Sequence, residues 1–203
     1  MEKHYIYIIL TRTNTTLSKL IGFAKNDEYT HAAISLDKNL DHMYSFGRKY
    51  TYNPFIGRFK EENINKGVYK YHKYLPGLVM EVEVSKEQYE YAKGLINHFI
   101  SNSNIYKYNY KGLLYGLFNK ETCCCNRFLC SEFVYHILKE SNIVDFNIAR
   151  NLVRPQGLLN IDGKIIYKGN LKEYGYFSNN NYLKEIDIRV VSTIKKLILS
   201  MKI

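Results

Sequence analysis

Tyr29-Thr30-His31-Ala32-Ala33-Ile34-Ser35-Leu36-Asp37 alternates with a period of two. Ala32, Ile34 and Leu36 fall on one side and His31, Ala33 and Ser35 on the other, the pattern of a half-buried strand over residues 31–36. The apolar trio takes the core, so His31 points away from it toward a surface or cleft. Downstream, Asp37-Lys38-Asn39-Leu40-Asp41 supplies a polar hairpin turn, and the chain returns as His42-Met43-Tyr44-Ser45-Phe46. Tyr44 and Phe46 continue the core side, which places Ser45 on the face of His31. Upstream, residues 5–11 read as a buried first strand, and residues 15–23 as a short helix opened by a hydroxyl cap.

Beyond the hairpin, residues 47–76 are rich in Gly, Asn, Tyr and Lys, which suggests a long, partly irregular excursion able to wall a cleft. Arg48 and Tyr52 head it and are candidates to contact an anionic or polar substrate. Strand periodicity resumes over residues 78–84, and Ser85 with Gln88 forms a capping-box signature for a helix reaching about residue 99 or 100. An Asn/Tyr-rich joint leads to Lys111-Gly112-Leu113-Leu114-Tyr115-Gly116-Leu117 and then to the cysteines. Phe133, Val134, Ile137 and Leu138 mark one face of an amphipathic helix that ends at Glu140-Ser141-Asn142. Short strands are expected over residues 164–168 and near Tyr174, and residues 183–203 mix apolar residues and Lys at a roughly helical period. No repeat or linker divides the chain. The expectation is one α+β domain over residues 1–203, an antiparallel sheet packed against helices, with residues 178–203 as a C-terminal helical extension.

Composition narrows the function. With 46% hydrophobic and 24% charged residues, the 203-residue chain can bury a core. Its aromatic content is 20 Tyr and 10 Phe without Trp, suited to half-buried strands and to the walls of polar clefts. A net charge of +10 favours anionic partners, yet the lysines are scattered and no nucleic-acid-binding signature accompanies them. Nucleic acid is therefore not the expected partner. The apolar run at residues 5–10 is too short for a signal-peptide core or a membrane span, which implies a cytoplasmic protein with reduced thiols.

The four cysteines cluster at 123, 124, 125 and 130. Zinc sites want ligand pairs at wider spacing and a second pair elsewhere, so no metal is expected. Cys130 stands apart because it enters the Phe133–Leu138 helix, where unpaired N–H groups and the helix dipole favour a thiolate and offer oxyanion donors. A buried small hydrophobe is the alternative reading. A thiol nucleophile needs an imidazole on a neighbouring element, and His31 is placed to supply it.

The segments quoted around His31, together with Met43-Tyr44-Ser45-Phe46-Gly47-Arg48 and Phe128-Leu129-Cys130-Ser131-Glu132-Phe133-Val134, resemble the permuted NlpC-type, papain-like superfamily. This group includes YiiX-type hydrolases and lecithin:retinol acyltransferase-like proteins, in which the His-bearing strand precedes the Cys-bearing helix. The resemblance runs from the first strand to Pro155 and continues weakly through residues 169–174. It implies a circularly permuted papain-like fold and a thiol hydrolase or acyltransferase without cofactor, acting on a peptide, amide or lipid-like acyl group. By the same resemblance Cys130 attacks, His31 moves the proton, the Cys130 amide helps to hold the oxyanion and Ser131 adjoins the substrate. The third residue falls on Ser45, where relatives often carry a Glu, His or other polar group, so the imidazole would lack carboxylate support. His42 reads as a turn histidine away from the site, and Glu81 and Glu83 as solvent-facing. Lys195-Lys196-Leu197-Ile198-Leu199 is compatible with peripheral contact at an anionic membrane. The competing expectation is a non-catalytic binding module on the same fold.

Overall fold

The computed structural model describes residues 3–12, 27–48 and 57–175. The helix expected over residues 15–23, the residue Tyr52, and the extension over residues 178–203 with its Lys-rich run lie outside them. The chain divides into a compact unit, Met1–Lys172, and a second, Glu173–Ile203. The sheet and its helices belong to the first.

The fold is α+β. Eight strands, β1 (His4–Thr11), β2 (His31–Ser35), β3 (Met43–Arg48), β4 (Gly57–Glu62), β5 (Pro76–Val84), β6 (Lys107–Tyr108), β7 (Arg127–Phe128) and β8 (Lys164–Asn170), form one sheet in the order β7-β6-β4-β3-β2-β1-β5-β8. Neighbours are antiparallel apart from β6 and β7, which run parallel, so the sheet is mixed. Among the described residues three helices accompany it: α1 (Lys86–Ser101), α2 (Tyr110–Leu117) and α3 (Cys130–Glu140).

Alternation decides which face the helices cover. Ile6, Ile8 and Leu10 of β1, Ala32 and Ile34 of β2, Phe46 of β3 and Phe59 of β4 join Phe133, Val134, Ile137 and Leu138 of α3 in one core. Each fully buried large side chain there contributes about 1.5–3 kcal/mol. The opposite face of the central strands is closed as well, with Ile9, Ala33, Met43 and Val79 all buried. Helix α1 starts as its capping box predicts: Ser85 Oγ accepts from the Gln88 amide at 3.2 Å, and the Ser85 amide donates to Gln88 Oε1 at 2.9 Å. Such a cap is worth about 1 kcal/mol.

Two departures from expectation matter. Residues 47–76, read as an irregular excursion, contain the central strand β4 and a 3-10 turn, Gly67–Tyr71. Near Tyr174 the chain forms a 3-10 turn, Leu171–Glu173, where a strand was expected.

Candidate active site

His31 is the first residue of β2, opposite Thr11 of β1. Cys130 is the first residue of α3, whose N-cap is Leu129. Because α3 lies across β2 and β3, its N-terminus sets Cys130 beside His31, near enough for the sulfur to raise the imidazole. The His31 side chain is 13% exposed and Cys130 is 7% exposed. At the helix start the Cys130 amide has no intrahelical acceptor.

The partner of the imidazole is Glu62, and Ser45 does not occupy that place. Glu62 Oε2 lies 3.0 Å from His31 Nε2, and its side chain is 3% exposed. Lys60 Nζ sits 2.8 Å from the other carboxylate oxygen, and the Tyr69 hydroxyl donates to Oε2 at 3.1 Å. Ser45 pairs with Lys60 across β3 and β4, on the face predicted, but its hydroxyl is buried without a hydrogen-bond partner. Reach separates the two. The short serine stays close to its own strand, whereas the glutamate stem leans over Gly47, where a Cβ would come 3.2 Å from Glu62 Oε1 and 2.8 Å from Lys60 Cε. The missing side chain at Gly47 leaves room for the ion pair.

Charges in this cluster reinforce one another. Burial alone would strip the proton from His31, but the Glu62 carboxylate and the Cys130 sulfur outweigh it and lift the imidazole to about 10. Burial alone would likewise neutralise Glu62, and the adjacent His31 and Lys60 instead hold its carboxyl far below the usual range. Two phenols of the cluster, Tyr69 and Tyr108, are both pushed well above 10, chiefly by burial. Each therefore remains a protonated donor at neutral pH. The Tyr69 ring centroid is 6.4 Å from that of His31.

A second polar cluster fixes the helix entry. Glu132, fully buried, accepts from the Leu129 amide at 2.8 Å and from Asn109 Nδ2 at 3.0 and 3.1 Å. Asn109 in turn caps α2 by accepting from the Gly112 amide at 2.9 Å. Ser131, expected beside the substrate, is 2% exposed and donates to the Val153 carbonyl at 2.6 Å. It ties α3 to the segment behind it.

Arg48 ends β3, with its side chain outside the described set. His42 is in the hairpin, exposed and paired with Glu61 at 2.5 Å, away from the site as expected. Glu83 meets Lys3 at the surface, and β1 separates its strand from β2. Among the described residues no group of three or more His, Cys, Asp or Glu side chains is arranged to hold a metal ion. No described helix is long and apolar enough to cross a membrane.

Sequence reasoning missed Glu62, Lys60, Tyr69 and Tyr108. The only signal for β4 is the alternation in Arg58-Phe59-Lys60-Glu61-Glu62, and it is faint because a charged pair occupies positions where an apolar side chain would mark a buried face. Comparison with family models, with curated proteins and with solved structures gives no match to the chain.

Proposed function

We propose that the protein is a thiol hydrolase or acyltransferase on a papain-like, permuted NlpC-type fold. The carrying observation is the His31 imidazole paired with the Glu62 carboxylate at 3.0 Å and raised by the nearby Cys130 sulfur. A proton retained on His31 leaves the sulfur as nucleophile, and the start of α3 stabilises negative charge beside it. The sulfur adds to a carbonyl of an amide or ester, and the oxygen takes up the electron pair facing the Cys130 amide. On collapse the carbon–heteroatom bond breaks, His31 protonates the departing amine or alcohol, and a thioester remains on Cys130. Water or another acceptor then gives its proton to His31 and takes the acyl group. Glu62 keeps the imidazole oriented and offsets its charge through the cycle.

The order of elements supports the permuted reading, with the His strand ahead of the Cys helix and a carboxylate on a strand that follows the histidine. Supply of an acyl group as peptide, amide or lipid-like ester fits the same chemistry. Alkylation tests it: near neutral pH iodoacetamide should modify Cys130 faster than Cys123, Cys124 or Cys125, and His31→Ala should erase that preference. Labelling with an acyl-directed probe should map to Cys130. Equal rates at all four cysteines would sink the reading.

One observation favours a second reading, a binding module without turnover: Cys130 is only 7% exposed. Under that reading the Cys130–His31 pair is packing, acyl probes leave Cys130 unlabelled, and Cys130→Ser is silent in ligand binding.

A further inference from the structure

Helix α2 is inverted. Its positions Lys111, Leu114, Tyr115 and Phe118 recur at i, i+3, i+4 and i+7, a single stripe. That stripe faces solvent, with Leu114 57%, Tyr115 39% and Phe118 74% exposed, while Gly112 is the residue it buries. Apolar residues gathered on one exposed face mark a contact surface, because scattered ones need no partner and clustered ones do.

The segment that follows is held so that its own side chains also turn outward. Asn151, itself buried, accepts from the Thr122 amide at 3.0 Å and donates to the Lys120 carbonyl at 2.8 Å. Arg150 donates to the Cys124 and Arg127 carbonyls at 2.6 and 3.3 Å and stacks over the Phe128 ring at 4.0 Å. The loop is pinned by its backbone from the inside. Cys123 and Cys125 are left exposed, free thiols of soft, apolar character.

Charge selects the occupant. Lys111 lies on the stripe, its ammonium 5.3 Å from the Tyr115 ring centre, and over residues 107–125 the exposed Lys107 and Lys120 accompany it in sequence with Glu121 as that segment's one acidic residue. The whole chain carries +10. Apolar side chains, an aromatic with a polar tip and surrounding lysines are what a helix resting in a headgroup layer presents. We propose that the face built from α2 and the Cys123–Cys125 loop docks onto an anionic lipid surface. This surface does not depend on chemistry at Cys130.

Co-sedimentation of the full chain with phosphatidylserine–phosphatidylcholine vesicles, and with phosphatidylcholine alone, tests the proposal. The protein should partition onto the mixed vesicles and leave them as salt rises. Leu114→Glu and Phe118→Glu should each lower partitioning about tenfold, by losing buried apolar area and adding repulsion. Lys73→Gln, an equal charge change in the loop before β5, should lower it far less, and circular dichroism should show all three variants folded. Three outcomes overturn the proposal: no binding to the mixed vesicles, binding by Phe118→Glu equal to that of the unaltered chain, or a dimer in solution that Phe118→Glu dissociates without vesicle binding. The last would assign the stripe to a second copy.

Discussion

A carboxylate buried beside an imidazole does two things at once, and Glu62 separates them experimentally. It fixes the ring through a 3.0 Å contact and it holds the ring's proton. Glu62→Gln keeps the size and a hydrogen-bonding oxygen but removes the charge. Imidazole resonances followed by NMR should report His31 protonated up to about pH 10 in the unaltered protein, and deprotonating at markedly lower pH in Glu62→Gln. Cys130→Ala should produce a fall in the same direction, since the sulfur also pulls the value upward. The sign for stability follows. His31 is raised from 6.5 to about 10 on folding, so its contribution is complete below 6.5 and is lost as pH rises toward 10. Glu62 is depressed from 4.5, so its contribution is complete above 4.5 and is lost as pH falls through its depressed value. Urea unfolding should therefore find the pair's full contribution between 4.5 and 6.5. Leaving His31 and Lys60 buried without Glu62 should cost about 3–5 kcal/mol in that window.

At the level of elements, Asn109 joins two helix starts. Its oxygen caps α2 and its amide holds the Glu132 carboxylate that in turn fixes the Leu129 amide, one residue before Cys130. Asn109→Ala removes the cap, worth about 1 kcal/mol, and strips a partner from a buried carboxylate, about 1–3 kcal/mol more. The unfolding midpoint in urea should fall accordingly, and alkylation of Cys130 by iodoacetamide should slow because the entry of α3 loosens. An unchanged labelling rate would mean that the thiol is placed by the core face of α3 alone. The Glu132 half of this clamp was written in the sequence as Cys130-Ser131-Glu132, but only the strand pairing of β6 with β7 brings Asn109 to it. That contrast recurs through the molecule. β1, β2, β5, α1 and α3 were legible because a period of 2 or 3.6 separates their apolar and polar faces. β4 was not, since Lys60 and Glu62 point to the side where burial would ordinarily demand an apolar side chain. With β4 hidden, the third site residue fell to Ser45, the nearest polar group on the correct face. β6 and β7, two residues each, carry no period at all.

The whole molecule couples the site to the core through the two faces of the same strands. Phe46 packs against Phe59, Phe99, Phe128 and Phe133 at ring-centre distances of 5.7, 6.2, 5.3 and 5.6 Å. Phe59 lies on β4 three residues before Glu62, and Phe133 lies on α3 three residues after Cys130. The aromatic cluster thus sets the spacing between the element that bears the carboxylate and the one that bears the thiol. Phe46→Ala should cost about 3–5 kcal/mol, since the lost ring leaves a cavity that the four surrounding rings cannot close, and Phe46→Leu should cost less. The two substitutions should also differ at the site under conditions where both remain folded. If β4 and α3 are spaced by this cluster, the His31 titration midpoint and the Cys130 labelling rate should fall with the volume removed, most in Phe46→Ala. If the polar network of Glu62, Lys60 and Tyr69 holds itself in place, both readouts should stay level while the unfolding midpoint drops. The first pattern is expected, because a salt bridge on a displaced strand loses its geometry before it loses its charge.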